Sequence, residues 1–252
     1  MPIGAVTPEL VSEFRAYLIK EEGNSNSTVT ENIKILSLLL NRAGVTQDPC
    51  AGMKMTREAH RRNYLLEEEV ERMMALRLEE GSEQDIARDM FYLECRTGLR
   101  ISDLLQLRWG NFNGESLHVM MQKTQREVTV PVTASIRRTL EKYRHLFSSA
   151  EERVFPFLDM EEWRTDEFSL PRALVAATCR VNSLVKQVAA RAGIEKNIST
   201  HVGRHTFATM LISKGASIYE VKELLGHRDV KVTQVYAHLL DDRKRELMEM
   251  LE

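Results

Sequence analysis

The sequence predicts a mainly α fold with one small antiparallel β-sheet (α+β), and three patterns carry that prediction. Apolar residues recur at three- and four-residue spacing through most of the chain, the period of helices that bury one face. The period drops to two in one place. There Leu117, Val119 and Met121, and then Val128, Val130 and Val132, alternate with polar neighbours on either side of Lys123-Thr124-Gln125-Arg126, which describes a β-hairpin. Cap chemistry also punctuates the helical stretches: Ser217-Ile218-Tyr219-Glu220 has the S-x-x-E spacing of a capping box, and Gly226 stands where a C-terminal cap belongs.

Taken in order, the first helix is expected from Pro8 to Lys20, with Leu10, Val11, Phe14, Tyr17 and Leu18 facing inward. The second runs from Ser27 to Arg42 on Val29, Ile33, Leu36 and Leu40, with N-cap chemistry between Ser27 and Glu31. Asp48-Pro49 and the basic stretch Met53 to Asn63 have little apolar periodicity, so they predict a linker. This places a short helical domain at 1–60 and a larger domain at 61–252. Helices follow over Leu66 to Leu78 and Glu83 to Arg96, the latter on Ile86, Met90, Phe91 and Leu93 and ended by Thr97-Gly98. A shorter helix spans Ser102 to Leu107 before the hairpin. From Ser135 onward the pattern is helical apart from Phe155-Pro156-Phe157. Near the end, Ile218, Val221, Leu224 and Leu225 make one apolar face, Val232, Val235, Leu239 and Leu240 another, and Leu247, Met248, Met250 and Leu251 a last strip.

Composition excludes several classes. A chain of 252 residues, 43% hydrophobic and 29% charged, can bury a core and is not disordered. No apolar run approaches the roughly 20 residues of a membrane span, and Met1 to Val6 lack a basic region before an apolar signal core, so a soluble cytoplasmic protein is expected. Cys50, Cys95 and Cys179 are far apart and without C-x-x-C spacing, which predicts buried thiols rather than a disulfide framework or a zinc site. The formal net charge is −2, but residues 64–169 hold 14 basic and 21 acidic side chains whereas 170–252 hold 13 and 9. An anionic partner should therefore meet the ends of the chain.

Four cationic or titratable segments stand out: Gly98-Leu99-Arg100 at a helix start, Lys123 at the hairpin tip, His201-x-x-Arg204 opening a helix, and His227 at a helix end, with Tyr236 nine residues later. Each alone has an ordinary reading. Arg100 can pair with Asp103, Lys123 can be a solvated turn residue, and Tyr236 can be core. Together they hold every part of a metal-free phosphodiester transfer to a protein hydroxyl, which needs a nucleophile, donors for the non-bridging oxygens and an acid for the leaving alkoxide. Guanidinium groups match phosphate bidentately and stay charged, and a phenol becomes nucleophilic when cationic neighbours favour its phenolate. No carboxylate cluster for magnesium is apparent, so no metal and no cofactor are expected.

The segments Arg96-Thr97-Gly98-Leu99-Arg100-Ile101-Ser102-Asp103 to Trp109, His201-Val202-Gly203-Arg204-His205-Thr206-Phe207-Ala208-Thr209, and Leu224-Leu225-Gly226-His227 followed by Val235-Tyr236-Ala237-His238 closely resemble the tyrosine recombinases, in particular the integrases of phages and mobile elements. The resemblance implies a tyrosine-recombinase catalytic domain preceded by a short core-binding segment, smaller than the family's usual N-terminal domain. It implies that Tyr236 attacks a DNA phosphate to form a 3′-phosphotyrosyl link, that Arg100, Arg204 and His227 bind the non-bridging oxygens, that Lys123 protonates the 5′ oxygen, and that His201 helps deprotonate Tyr236. Asp103 would orient Arg100, and Lys54, Arg57, Arg61 and Arg62 would touch DNA. The implied partner is double-stranded DNA at specific attachment sites, bound by a protein that is monomeric when free and tetrameric on paired sites, with no membrane. A type IB topoisomerase shares the same residue types, and a non-catalytic DNA-binding regulator would share the fold. The motif wording favours the recombinase over the topoisomerase, and the presence of all six implied catalytic residues weighs against a regulator that has lost activity.

Overall fold

A computed structural model describes residues 2–53, 63–144, 149–158, 169–230, 233, 236 and 248. The chain divides into two compact units, Met1–Arg61 and Arg62–Glu252.

In the first unit, helix α1 (Pro8–Lys20) is capped by Thr7, whose side chain accepts from the Leu10 N–H, and α2 (Asn26–Arg42) by Ser25, which accepts from Thr28. The cap thus falls two residues before the expected start. Val29, Ile33 and Leu40 are buried as their spacing requires, against Val11, Leu18 and Cys50. Phe14 and Tyr17 point outward instead, 39% and 49% exposed, because α1 packs on α2 through the narrow stripe at Val11 and Leu18. Below α2, Asp48 accepts from Ser37 Oγ at 2.6 Å and from the Cys50 N–H at 2.9 Å, which closes the loop and holds the Asp48 carboxyl below its ordinary pKa.

The second unit is built around α4 (Glu83–Thr97). Its sequence reads as an amphipathic helix, yet nearly every residue from Asp85 onward is buried, because α3 (Glu67–Met74), α6 (Ala134–Glu141), α7 (Ser169–Arg191) and α8 (Thr200–Ser213) all pack on it. Such burial places charges inside, and they are paired. Arg88 bonds Asp85 and Asp89, Lys142 reaches Asp89 at 2.5 Å, and the Tyr143 hydroxyl donates to Asp89 at 3.0 Å, its own pKa raised first by burial and then by the nearby carboxylates. Helix α3 ends at Met74, four residues short of the expected Leu78. Cys50 and Cys95 are buried as expected, whereas Cys179 on α7 is exposed.

The hairpin forms as predicted, β1 (Ser116–Met121) pairing antiparallel with β2 (Arg126–Pro131) in the register Val119 to Val128. Leu117, Val119, Met121, Val128 and Val130 all face the core, so the two-residue period sets the register. Helix α5 (Ile101–Leu105) is shorter than expected, and α9 (Ile218–Leu224) carries the predicted capping box, with Glu220 Oε2 accepting from the Ser217 N–H at 2.7 Å. The apolar residues Val232, Val235, Leu239, Leu240, Leu247, Met250 and Leu251 lie outside the described residues. Among the described residues no helix is long and apolar enough to cross a membrane.

Gly98 ends α4 in the left-handed region at φ +68°, and a Cβ there would lie 2.5 Å from Phe207 Cδ1 and 2.9 Å from Leu225 Cδ2. Gly81 has a similar φ of +75° but open space around it. Left-handed strain costs about 1–2 kcal/mol and overpacking about 1–3 kcal/mol more, so Gly98→Ala should destabilise the protein by about 2–5 kcal/mol and Gly81→Ala only by the strain. Thermal melts of the two variants check this. Equal losses would show that the Phe207 contact does not constrain position 98.

Candidate active site

Three helix ends and the hairpin converge on one side of the second unit. Arg100 is the N-cap residue of α5, two residues past Gly98. Its Nη1 lies 3.3 Å from Met121 Sδ on β1 and 4.0 Å from Asp103 Oδ2. Burial lowers the Arg100 pKa and the Asp103 charge opposes that shift. The Asp103 side chain is fully enclosed: Oδ1 accepts from the Gln122 N–H at 3.1 Å, while Oδ2 has no hydrogen-bond partner among the described residues. Burial therefore raises the Asp103 pKa, against the Gln122 N–H and Arg100, which lower it. Asp103 thus ties the arginine turn to the turn of the hairpin.

Arg204 lies one turn into α8 and donates through Nη1 to the Gly98 carbonyl and through Nη2 to the Leu225 carbonyl. Both acceptors belong to helix C-termini, where carbonyls are left without intrahelical partners. Burial, and then the like charge of Arg100, push the Arg204 guanidinium down to about 10, with Asp103, Tyr236 and Glu94 opposing; it remains protonated at neutral pH.

His227 follows the left-handed Gly226 and is 8% exposed. Its N–H donates to the Lys222 carbonyl at 3.1 Å, and Nδ1 shares a hydrogen bond with Thr233 Oγ1 at 2.9 Å. Lys123 is exposed at the hairpin tip. The Tyr236 ring is 5% exposed and packs with Phe207, Ala208, Ile212, Val221 and Leu225.

The histidine that meets the Tyr236 hydroxyl is His205, through Nδ1, with the two rings 5.8 Å apart. This position was expected for His201, which instead sits exposed in the first turn of α8. The two histidines are four residues apart and share a helix face, so sequence spacing alone does not separate them. Lys54, Arg57, Arg61 and Arg62 lie outside the described residues. Among the described residues no group of His, Cys, Asp and Glu side chains could hold a metal ion.

One further group lies beneath the site. Glu94 is 1% exposed, and a Cβ on Gly203 would sit 2.9 Å from Glu94 Cβ and 3.2 Å from Oε2, so the glycine lets α8 approach α4 there. Oε2 has no hydrogen-bond partner among the described residues. Burial raises the Glu94 pKa well above its ordinary value, more than Arg204 and the Ile101 N–H lower it. Sequence reasoning missed Glu94 because it reads as the polar edge of an amphipathic helix.

Solved structures that share this fold include integrases. The chain superposes with a TM-score of 0.70 on a lambda integrase fragment bound as a dimer to a core site, at 18% identity and covering 94% of this chain and 81% of that one. It also superposes with a TM-score of 0.70 on the Tn1549 transposon integrase in complex with transposon right end DNA, at 18% identity over 100% of this chain and 87% of that one. In sequence it is 28% identical to the tyrosine recombinase XerD of Oceanobacillus iheyensis, over 92% of this chain and 77% of that protein, and 35% identical to XerD of Rhizobium meliloti over 61% and 47%. The phage integrase family model matches residues 63–243 and the phage integrase SAM-like domain model residues 1–47. The chain therefore belongs to the phage integrase family, among the tyrosine site-specific recombinases.

The raised Glu94 pKa has a testable consequence. The folded state holds this proton more tightly than the unfolded chain, so the stabilisation is complete below the ordinary value of 4.5 and is lost progressively as pH rises toward the folded pKa. Glu94→Gln keeps the shape and removes the titration. Its Tm relative to the native chain should rise as pH increases above the ordinary value of 4.5. A difference independent of pH would show that Glu94 is not held neutral.

Proposed function

We propose that the protein recombines DNA at specific sites by cleaving and rejoining strands through a 3′-phosphotyrosyl intermediate, without metal or ATP. The observation that carries this reading is the convergence of Arg100, Arg204 and Tyr236: Arg204 donates to the Gly98 and Leu225 carbonyls, Arg100 follows two residues after the first, and Tyr236 packs against Leu225 with its hydroxyl on His205.

The reaction follows from the groups present. The Tyr236 oxygen attacks phosphorus, the bond from phosphorus to the 5′ oxygen breaks, and Lys123 donates the proton that the leaving alkoxide takes up. The phenol proton passes to the imidazoles that α8 presents one turn apart, His201 and His205, the second of which already holds the hydroxyl. Arg100, Arg204 and His227 stabilise the charge that builds on the non-bridging oxygens. Asp103 orients Arg100. The phosphotyrosine conserves the bond energy, so attack by a second 5′-hydroxyl reseals the strand. Lys54, Arg57, Arg61 and Arg62 supply phosphate contacts that add affinity and salt dependence rather than rate.

A library of duplexes with randomised cores, each nicked so that a short 5′-hydroxyl fragment diffuses away after cleavage, tests this whatever the target sequence is. The native protein should form detergent-resistant adducts joined at a DNA 3′ end. Tyr236→Phe, which keeps the ring's packing, should form none at equal DNA binding. Adducts at normal yield in Tyr236→Phe would refute the assignment.

Assembly is the second part of the proposal: a monomer when free and a tetramer on paired sites, the form in which a lambda integrase is solved on a Holliday junction. Met248, one of the apolar residues near the C-terminus, is helical and 65% exposed, which leaves this side chain open to a neighbouring protomer. Deleting Arg243 to Glu252 should leave single-site binding intact and abolish tetramers, as read by light scattering on duplexes recovered from the library. A truncated chain that still tetramerises would show that the strip is not the link.

A further inference from the structure

The tip of the hairpin is clasped from two sides. On one side, Gln122 donates its N–H to Asp103 Oδ1 at 3.1 Å, beside Arg100. Across the tip, Arg228 donates to the Thr124 carbonyl through Nε at 3.1 Å and through Nη2 at 2.7 Å. The clasp is reciprocal, since Arg126 on β2 donates from Nη1 to the His227 carbonyl at 3.1 Å. Lys123 lies between the two attachment points.

The packing underneath is equally close. A Cβ on Gly226 would lie 2.6 Å from Met121 Sδ and 3.0 Å from Val128 Cγ2, so the turn that carries His227 rests directly on the hairpin strands. Thr124 Oγ1 is buried without a hydrogen-bond partner among the described residues, which marks this turn as covered rather than solvated. Gln125 adopts a φ of +50°, unusual for a residue with a side chain, and its N–H and side-chain amide return to the Met121 and Gln122 carbonyls at 2.8 Å each. Lys123 itself makes no hydrogen bond or ion pair among the described residues, so its place is set by the backbone on either side.

We propose that Arg228 is a positioning residue for Lys123: by gripping the Thr124 carbonyl it fixes the hairpin tip against the His227 turn and holds the lysine where the leaving oxygen forms. A guanidinium suits this task because its planar fork can place two donors on one carbonyl, which a lysine ammonium on its flexible stem does not reproduce. The inference rests on the acid role proposed above for Lys123, but the grip itself is a property of the free protein.

Two measurements decide it. In the DNA-free protein, amide exchange at Gln125 and Arg126 should quicken several-fold in Arg228→Ala and in Arg228→Lys; unchanged exchange in both would overturn the proposal. On duplexes recovered from the adduct library, single-turnover cleavage by Arg228→Ala should slow by about tenfold to a hundredfold, less than the roughly hundredfold to ten-thousandfold lost with a general acid, because the lysine is displaced rather than removed. A 5′-bridging sulfur, which leaves without a proton, should restore it to near the native rate, and Lys123→Ala with Arg228→Ala should be no slower than Lys123→Ala alone. Arg228→Lys keeps the charge, so it should bind DNA like the native protein yet show the same sulfur-rescued defect. A defect that sulfur does not rescue, that adds to the loss from Lys123→Ala, or that lies only in DNA affinity and its salt slope would overturn the proposal. If sulfur fails to rescue even Lys123→Ala, the acid role itself falls, and the exchange measurement still decides whether Arg228 fixes the tip.

Discussion

The two hydrogen bonds from Arg204 to the Gly98 and Leu225 carbonyls are the constraint on which the rest of the site depends. A buried cation must have its donors satisfied, and the obvious partner, a carboxylate, would also cancel its charge. Carbonyls at helix C-termini satisfy the donors and offer only partial negative charge, so the guanidinium is held in place and stays cationic toward an incoming anion. The two carboxyl groups within electrostatic reach, Glu94 and Asp103, are both pushed toward the neutral form by burial. The same two bonds fix where Arg100 and His227 begin, since each follows two residues after one of the acceptors.

This arrangement requires α4, α8, α9 and the hairpin to approach more closely than ordinary side chains allow, and glycine supplies the room at each contact. Gly98 lets Phe207 and Leu225 pack against the end of α4, Gly203 lets α8 meet α4 over Glu94, and Gly226 seats the His227 turn on Met121 and Val128. The packing at each place is the reason Arg100, Arg204 and His227 come together although they lie far apart in sequence.

Much of this was legible in the sequence where a local rule operates alone. The two-residue period set the hairpin register, the capping box marked the start of α9, and Gly98 marked the end of α4, because each depends on residues within one turn or strand. Legibility failed where tertiary packing decides. Phe14 and Tyr17 satisfy helical spacing yet lie exposed, and Glu94 looks solvated until four helices enclose its own. His201 and His205 share a face, and only the placement of Tyr236 chooses between them for the hydrogen bond. Arg228 carries no signal of its own, since its partner is a backbone carbonyl 104 residues away.

The burial of Tyr236 bears on how such a protein can change over evolutionary time. Its ring fills part of a small cluster with Phe207, Ala208, Ile212, Val221 and Leu225, so the proposed nucleophile is also packing material. Serine or cysteine would supply another nucleophilic atom but empty that volume, at a cost of about 3–5 kcal/mol against a typical total stability of about 5–15 kcal/mol. A single substitution that tried a different nucleophile would therefore weaken the fold before the new chemistry could be selected. Packing, as well as the proposed chemistry, holds position 236 to a phenol.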